Sequence, residues 1–169
     1  MFRPKITEGK MDASGLKFAV VESRWNDYLT SRLTEGAVDT LRKHGADEDS
    51  IEIFKVPGSF ELSAAAAKIA AKREFDAIIC LGVVIRGETP HFDYVAGSAA
   101  SGIAKVSIDF AVPVMFGVIT ADTVEQALNR AGLKAGNKGI EAATAAIEMA
   151  NLYKEIGDGK DDKAFPHAV

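Results

Sequence analysis

Three observations predict an α/β fold built as a three-layer α/β/α sandwich. First, four short apolar runs recur along the chain, at 16–21, 51–56, 77–85 and 112–119. Second, each is followed by a longer stretch whose apolar residues repeat at helical spacing, and such alternation builds right-handed β-α-β units around a parallel sheet. Third, Ala77-Ile78-Ile79-Cys80-Leu81 is bulky throughout and does not alternate. That pattern belongs to a strand buried on both faces.

Taken in order, residues 1–15 are weakly patterned and read as an N-terminal arm, with 16–156 as one domain. After the first strand, Ser23-Arg24-Trp25-Asn26 forms a connection, and Asn26 or Asp27 can cap the next helix. That helix runs to about Lys43 and stops at Gly45, a good residue just past a helix end. Residues 51–56 alternate, as an edge strand does. Pro57-Gly58 turns the chain, and Ser59 is expected to cap an alanine-rich helix ending near Lys72. The central strand, 77–85, is followed by Gly87 and Pro90, which break regular structure. Residues 92–111 are helical in spacing and rich in small residues. In the fourth connection Asp122 and Glu125 have the spacing of a capping box, and the helix they open ends at Gly132. A linker, 133–138, leads to a last helix over 139–156, carried by Ile140, Ala143, Ile147, Ala150 and Tyr153. The tail, 157–169, is polar and by composition disordered.

The simplest strand order is 2-1-3-4, the flavodoxin-like arrangement of four parallel strands. Its switch point lies between the first and third strands, and ligands bind there at the carboxyl ends. The Trp25 connection, the Pro57–Glu61 turn and the loop before His91 would then share one edge of the sheet.

Composition narrows the chemistry. With 24 acidic and 20 basic residues the net charge is −4. There is no basic surplus for a phosphate backbone, so nucleic acid is not an expected partner. Cys80 is the single cysteine, which excludes an internal disulfide and argues against a structural zinc site. There is no apolar signal core and no run of roughly 18 apolar residues, so no membrane span is expected and the default location is cytoplasmic. The segment 132–139 fails the GxxxxGK[ST] spacing of a triphosphate loop, and no GxGxxG follows the first strand.

The loop at 86–91 concentrates a cation, an anion, a hydroxyl and an imidazole. His91 is the best catalytic candidate among three histidines, because an imidazole takes and gives protons near neutral pH. His44 sits at a helix end, where it suits the dipole, and His167 lies in the tail. Arg86, Thr89 and the loop amides suggest an anion site, which Glu88 would oppose if it faced inward. Ser59 and Glu61 read either as caps or as acceptors for a polyol. Trp25, the only tryptophan, either stacks on a planar ligand or covers the sheet end. By default, Phe116 belongs to the core and Arg130 is a solvated charge.

Assembled in order, these motifs resemble the lumazine synthase family. The resemblance rests on Trp25-Asn26, on Val56-Pro57-Gly58-Ser59-Phe60-Glu61 and on the run from Gly82 to Phe92. Further matches are Phe116-Gly117-Val118-Ile119-Thr120, Glu125-Gln126-Ala127, Arg130-Ala131-Gly132 and Gly136-Asn137-Lys138-Gly139. It implies condensation of 5-amino-6-(D-ribitylamino)uracil with 3,4-dihydroxy-2-butanone 4-phosphate. The product is 6,7-dimethyl-8-ribityllumazine, the penultimate intermediate of riboflavin biosynthesis, with loss of phosphate and water. No metal or redox cofactor is implied. By the same resemblance Trp25 stacks on the pyrimidine, and Ser59, Phe60 and Glu61 hold the ribityl chain. Val84 and Ile85 line the ring site. Gly87, Glu88, Thr89 and Arg130 take the phosphate, with Arg86 and Lys138 as supporting cations, and His91 carries protons. Arg130 and Phe116 come from a neighbouring subunit. The implied assembly is a pentamer, with twelve pentamers closing an icosahedral 60-mer as the favoured form and a free pentamer or a dimer of pentamers as alternatives. An N-terminal strand from a neighbour would extend the sheet, and association with riboflavin synthase is a further implied contact. The competing class is a non-catalytic flavin- or lumazine-binding carrier, or a structural shell, on the same fold. The joint presence of His91, Thr89 and Arg130 favours the enzyme.

Overall fold

The computed structural model describes residues 2–134 and 136–157. The tail expected over 157–169 lies outside the described residues from 158 onward, and His167 with it. The elements are β1 (Phe18–Ser23), α1 (Asp27–Lys43), β2 (Ile51–Val56), α2 (Leu62–Ala70), β3 (Ala77–Ile85), α3 (His91–Phe110), β4 (Val114–Ala121), α4 (Val124–Arg130) and α5 (Lys138–Ile156). Single 3-10 turns, Glu48–Ser50 and Ser59–Glu61, precede β2 and α2.

The strands form one sheet in the order β2-β1-β3-β4, every pair parallel, as the sequence predicts. β1 pairs with β2 from Phe18↔Ile51 to Ser23↔Val56, and with β3 from Phe18↔Ala77 to Glu22↔Leu81. All nine residues of β3 match the predicted strand, and the first eight are buried. β1 and β4 each begin two residues later than expected.

Side chains alternate between two cores because the strand period is two. On one face Phe18, Val20, Ile79 and Leu81 meet Leu33 and Leu41 of α1 and Ile147 of α5. On the other, Val21, Ile78 and Cys80 meet Leu62 and Ile69 of α2 and Ile103 and Val106 of α3. Full burial of a Val, Leu, Ile or Phe side chain contributes roughly 1.5–3 kcal/mol. α5 approaches α1 backbone to backbone, since a Cβ on Gly139 would collide with the Leu33 carbonyl. Asn137 caps α5, its Oδ1 accepting from Gly139 N at 2.8 Å and Ile140 N at 3.2 Å. The arm is partly tied down. Asn151 Nδ2 donates to the Lys10 and Asp12 carbonyls at 2.7 and 2.8 Å, and Ala13 is fully buried.

Several local expectations are corrected. Ser59 does not cap α2. Its Oγ has no hydrogen-bond partner, and Glu61 Oε2 instead accepts from Gly58 N at 2.9 Å. The cap of α4 is Thr123, not Asp122, with Thr123 Oγ1 accepting from Gln126 N at 3.2 Å. Asp122 is drawn away to Arg86, just past the end of the central strand. Asn26 precedes α1 but is left-handed at φ 64° and does not cap it with its side chain. Phe116 is exposed on the edge strand β4 rather than buried in the core. His44 keeps its structural reading, with Nδ1 2.8 Å from the Thr40 carbonyl.

Candidate active site

A cavity of about 660 Å³ opens at the carboxyl ends of the strands, on the face covered by α2 and α3. Its size suits a drug-sized ligand. All three connections expected to meet there do so. The loop after β1 contributes Trp25 and Asn26, and the turn after β2 contributes Pro57 through Glu61. β3 supplies Val83, Val84 and Ile85, and the following loop supplies Gly87 and Thr89. α3 adds His91, Phe92, Tyr94 and Val95.

Backbone hydrogen bonds lock the first two loops together. Arg24 N donates to the Val56 carbonyl at 2.8 Å, and Trp25 N to the Pro57 carbonyl at 3.0 Å. The left-handed Asn26 turns its side chain inward, where Nδ2 donates to the Val83 carbonyl at 2.9 Å. These bonds hold Trp25 at the rim, where the residue is 73% exposed and Phe60 56%. Large apolar rings left in water beside a cavity are surfaces that a planar ligand can cover. Ser59 is buried at the floor, and Glu61 is fixed by its bond to Gly58 N.

His91 is the first residue of α3 and is exposed to the cavity. The helix start directs backbone N–H groups and the positive end of the dipole at the Gly87–Thr89 loop. Glu88 is exposed and does not line the cavity. No lysine or arginine is found among the described residues that line it.

The remaining predicted cations lie elsewhere and are engaged. Arg86 Nε donates to Asp122 Oδ1 at 2.8 Å, and its two terminal nitrogens approach Asp93 at 3.3 and 3.4 Å. The guanidinium carbon also sits 4.2 Å from the centroid of the Phe92 ring. The bonds to Asp122 and then Asp93 push the Arg86 pKa above its ordinary value. Arg130 and Lys138 both pair with Glu141, Arg130 Nη2 at 3.0 Å and Lys138 Nζ at 3.2 Å. Phe116, Arg130 and Lys138 do not line this cavity.

Sequence reasoning assigned no role to Val83, Phe92, Tyr94 or Val95. The signal for the last two was present: positions three and four beyond His91 share its helix face. For Asn26 the sequence offers a cap and a place in the Trp25-Asn26 motif, whereas its inward turn depends on a left-handed backbone that sequence does not specify.

The family model described as 6,7-dimethyl-8-ribityllumazine synthase matches residues 15–154. The match takes in all four strands and every cavity-lining residue. Family members are transferases that act on small molecules in riboflavin biosynthesis. A match over most of the chain, on a fold that brings the corresponding loops to one cavity, assigns this protein to the 6,7-dimethyl-8-ribityllumazine synthase family.

Proposed function

We propose that the cavity condenses 5-amino-6-(D-ribitylamino)uracil with 3,4-dihydroxy-2-butanone 4-phosphate. The observation that carries this reading is the joint lining of one cavity by Trp25, Ser59, Glu61, Thr89 and His91. Trp25 stacks on the pyrimidine while Val84 and Ile85 pack its other side. Ser59, Phe60 and Glu61 hold the ribityl chain, Glu61 accepting from its hydroxyls. Gly87, Glu88 and Thr89 offer backbone and hydroxyl donors to the phosphate at the start of α3. Glu88 does so through its main chain, because its carboxylate would repel the anion.

The chemistry requires proton movement rather than covalent catalysis. The 5-amino group adds to the ketone, and loss of water gives an imine. A proton then leaves C3 of the imine as phosphate departs from C4 with its electron pair. The resulting enol tautomerises to a ketone, and the ribitylamino nitrogen adds to that ketone and closes the ring with loss of a second water. His91 accepts and returns protons during these steps. Holding the two reactants together supplies much of the acceleration.

A doubly charged phosphate needs a cation, and among the described residues none lines this cavity. Arg130 of a neighbouring subunit supplies it, with Lys138 in support and Phe116 closing the wall. Exposed pairs such as Arg130–Glu141 hold only about 0–1 kcal/mol, so Arg130 can exchange its carboxylate for phosphate. The active form is therefore an oligomer, read as a pentamer, with twelve pentamers in a shell as the favoured closed assembly. Extension of the sheet by a neighbour's N-terminal strand and association with riboflavin synthase belong to the same reading.

The test is to mix purified protein with both substrates and follow lumazine absorbance and fluorescence against an enzyme-free control. Formation well above the control is expected. No acceleration, with tight lumazine or riboflavin binding, would place the protein among carriers instead.

A further inference from the structure

Among the described residues Glu22 is the one charged side chain that is buried, at 4% exposure. It is the next-to-last residue of β1. By alternation it shares the face of Phe18 and Val20, toward α1 and away from the cavity. An apolar residue there would simply continue that core. The carboxylate is instead divided between two other elements. Its Oε2 accepts from Thr34 Oγ1 of α1 at 2.7 Å, and its Oε1 pairs with Lys55 Nζ of β2 at 3.3 Å. Glu22 and Lys55 are also register partners in the sheet.

The three elements joined in this way are the ones that meet at Trp25. β1 leads into that residue and α1 leads out of it. The end of β2 and the turn after it hold the connection, with Arg24 N donating to the Val56 carbonyl and Trp25 N to the Pro57 carbonyl. Lys55 directly precedes those two acceptors. Trp25 is itself exposed at the rim, so packing around its own ring gives it little support. A buried ion pair adds little stability over a well-packed apolar replacement, and what it supplies is one fixed geometry.

We propose that Glu22 and Lys55 are positioning residues for Trp25. Their pair sets how β1, β2 and α1 end relative to one another, and so holds the indole at the cavity rim where the pyrimidine ring stacks. The ligand named here rests on the condensation reading above, whereas the placement of the indole does not.

The experiment reads Trp25 directly, because it is the only tryptophan. In Lys55→Met the anisotropy of its fluorescence is expected to fall, since a loosened ring reorients within nanoseconds. KM for the pyrimidine is expected to rise about fivefold, with KM for the butanone phosphate unchanged. Lys55→Arg, which keeps the charge, is expected to restore both values. Lys55→Met strands a buried carboxylate, so Glu22→Gln/Lys55→Met is the second variant. Its glutamine keeps an acceptor for Thr34, and removal of both charges together is expected to leave the thermal midpoint near that of wild type. The double variant is expected to show the same loss of anisotropy and the same rise in pyrimidine KM. Wild-type anisotropy and KM in the double variant, equal rises in both KM values, or no rescue by Lys55→Arg would overturn the proposal. Wild-type protein that forms no lumazine would overturn the condensation reading alone. Anisotropy then decides the placement of Trp25 by itself: a fall in the double variant supports it, and no change overturns it.

Discussion

Arg86 Nε donates to Asp122 Oδ1 at 2.8 Å, joining the ends of β3 and β4 directly beside the loop that delivers His91. The same side chain reaches Asp93 in the first turn of α3 and lies over Phe92. It is a three-way clamp on the start of that helix. Arg86→Lys keeps the charge but loses the fork and the stacking, so it is not conservative here. It is expected to lower kcat roughly three- to thirtyfold with little change in thermal midpoint, since exposed pairs hold about 0–1 kcal/mol each. A raised KM for the phosphate substrate with unchanged kcat would return Arg86 to anion binding.

His91→Ala is expected to slow turnover severalfold to about a hundredfold without abolishing it, because proximity still operates in its absence. Steady-state kinetics on a variant with wild-type thermal midpoint makes the measurement. Complete loss of activity would contradict a mainly positional mechanism.

Arg130→Ala is expected to raise KM for the butanone phosphate by about tenfold or more, in keeping with loss of a charge-assisted contact. KM for the pyrimidine should hardly change. Equal effects on both substrates would refute the assignment.

Cys80 lies in the centre of β3, and burial pushes its thiol up to about 12. The folded state therefore holds its proton where the unfolded chain, near 8.5, has lost it. The unfolded state binds fewer protons between those values, so stability contributed by Cys80 is intact below about pH 8.5 and falls as pH rises toward 12. A thiol reagent at pH 8 should leave the native protein unlabelled and label one thiol after denaturation. Alkaline denaturation should begin at higher pH in Cys80→Ala than in wild type.

Much of this was legible in sequence because it follows from period and punctuation. The unbroken apolar run of β3 marked a doubly buried strand, and Gly45 marked the end of α1. Strand order followed from the alternation of strands and helices, and with it the meeting of Trp25, Ser59 and His91. What sequence missed depends on which partner a polar group chooses. Asp122 left its capping role for Arg86, and Ser59 left its own to lie over Gly82. Local patterns rank the candidates for such bonds, but tertiary neighbours decide among them. The default placement of Phe116 in the core passed over the edge position that the expected order 2-1-3-4 already gives the fourth strand.

The central claim is that one subunit's cavity and its neighbour's Arg130 form a single condensing site. Co-expression of a Glu61→Ala/His91→Ala variant with an Arg130→Ala variant tests it most directly. In randomly mixed oligomers at equal ratio, about a quarter of the shared sites should be wild type, since each needs one particular pairing of neighbours. The account predicts recovery of lumazine formation toward a quarter of the wild-type rate, well above either variant alone. A rate no higher than the mean of the two variants would mean that no site is shared between subunits, and would contradict the account.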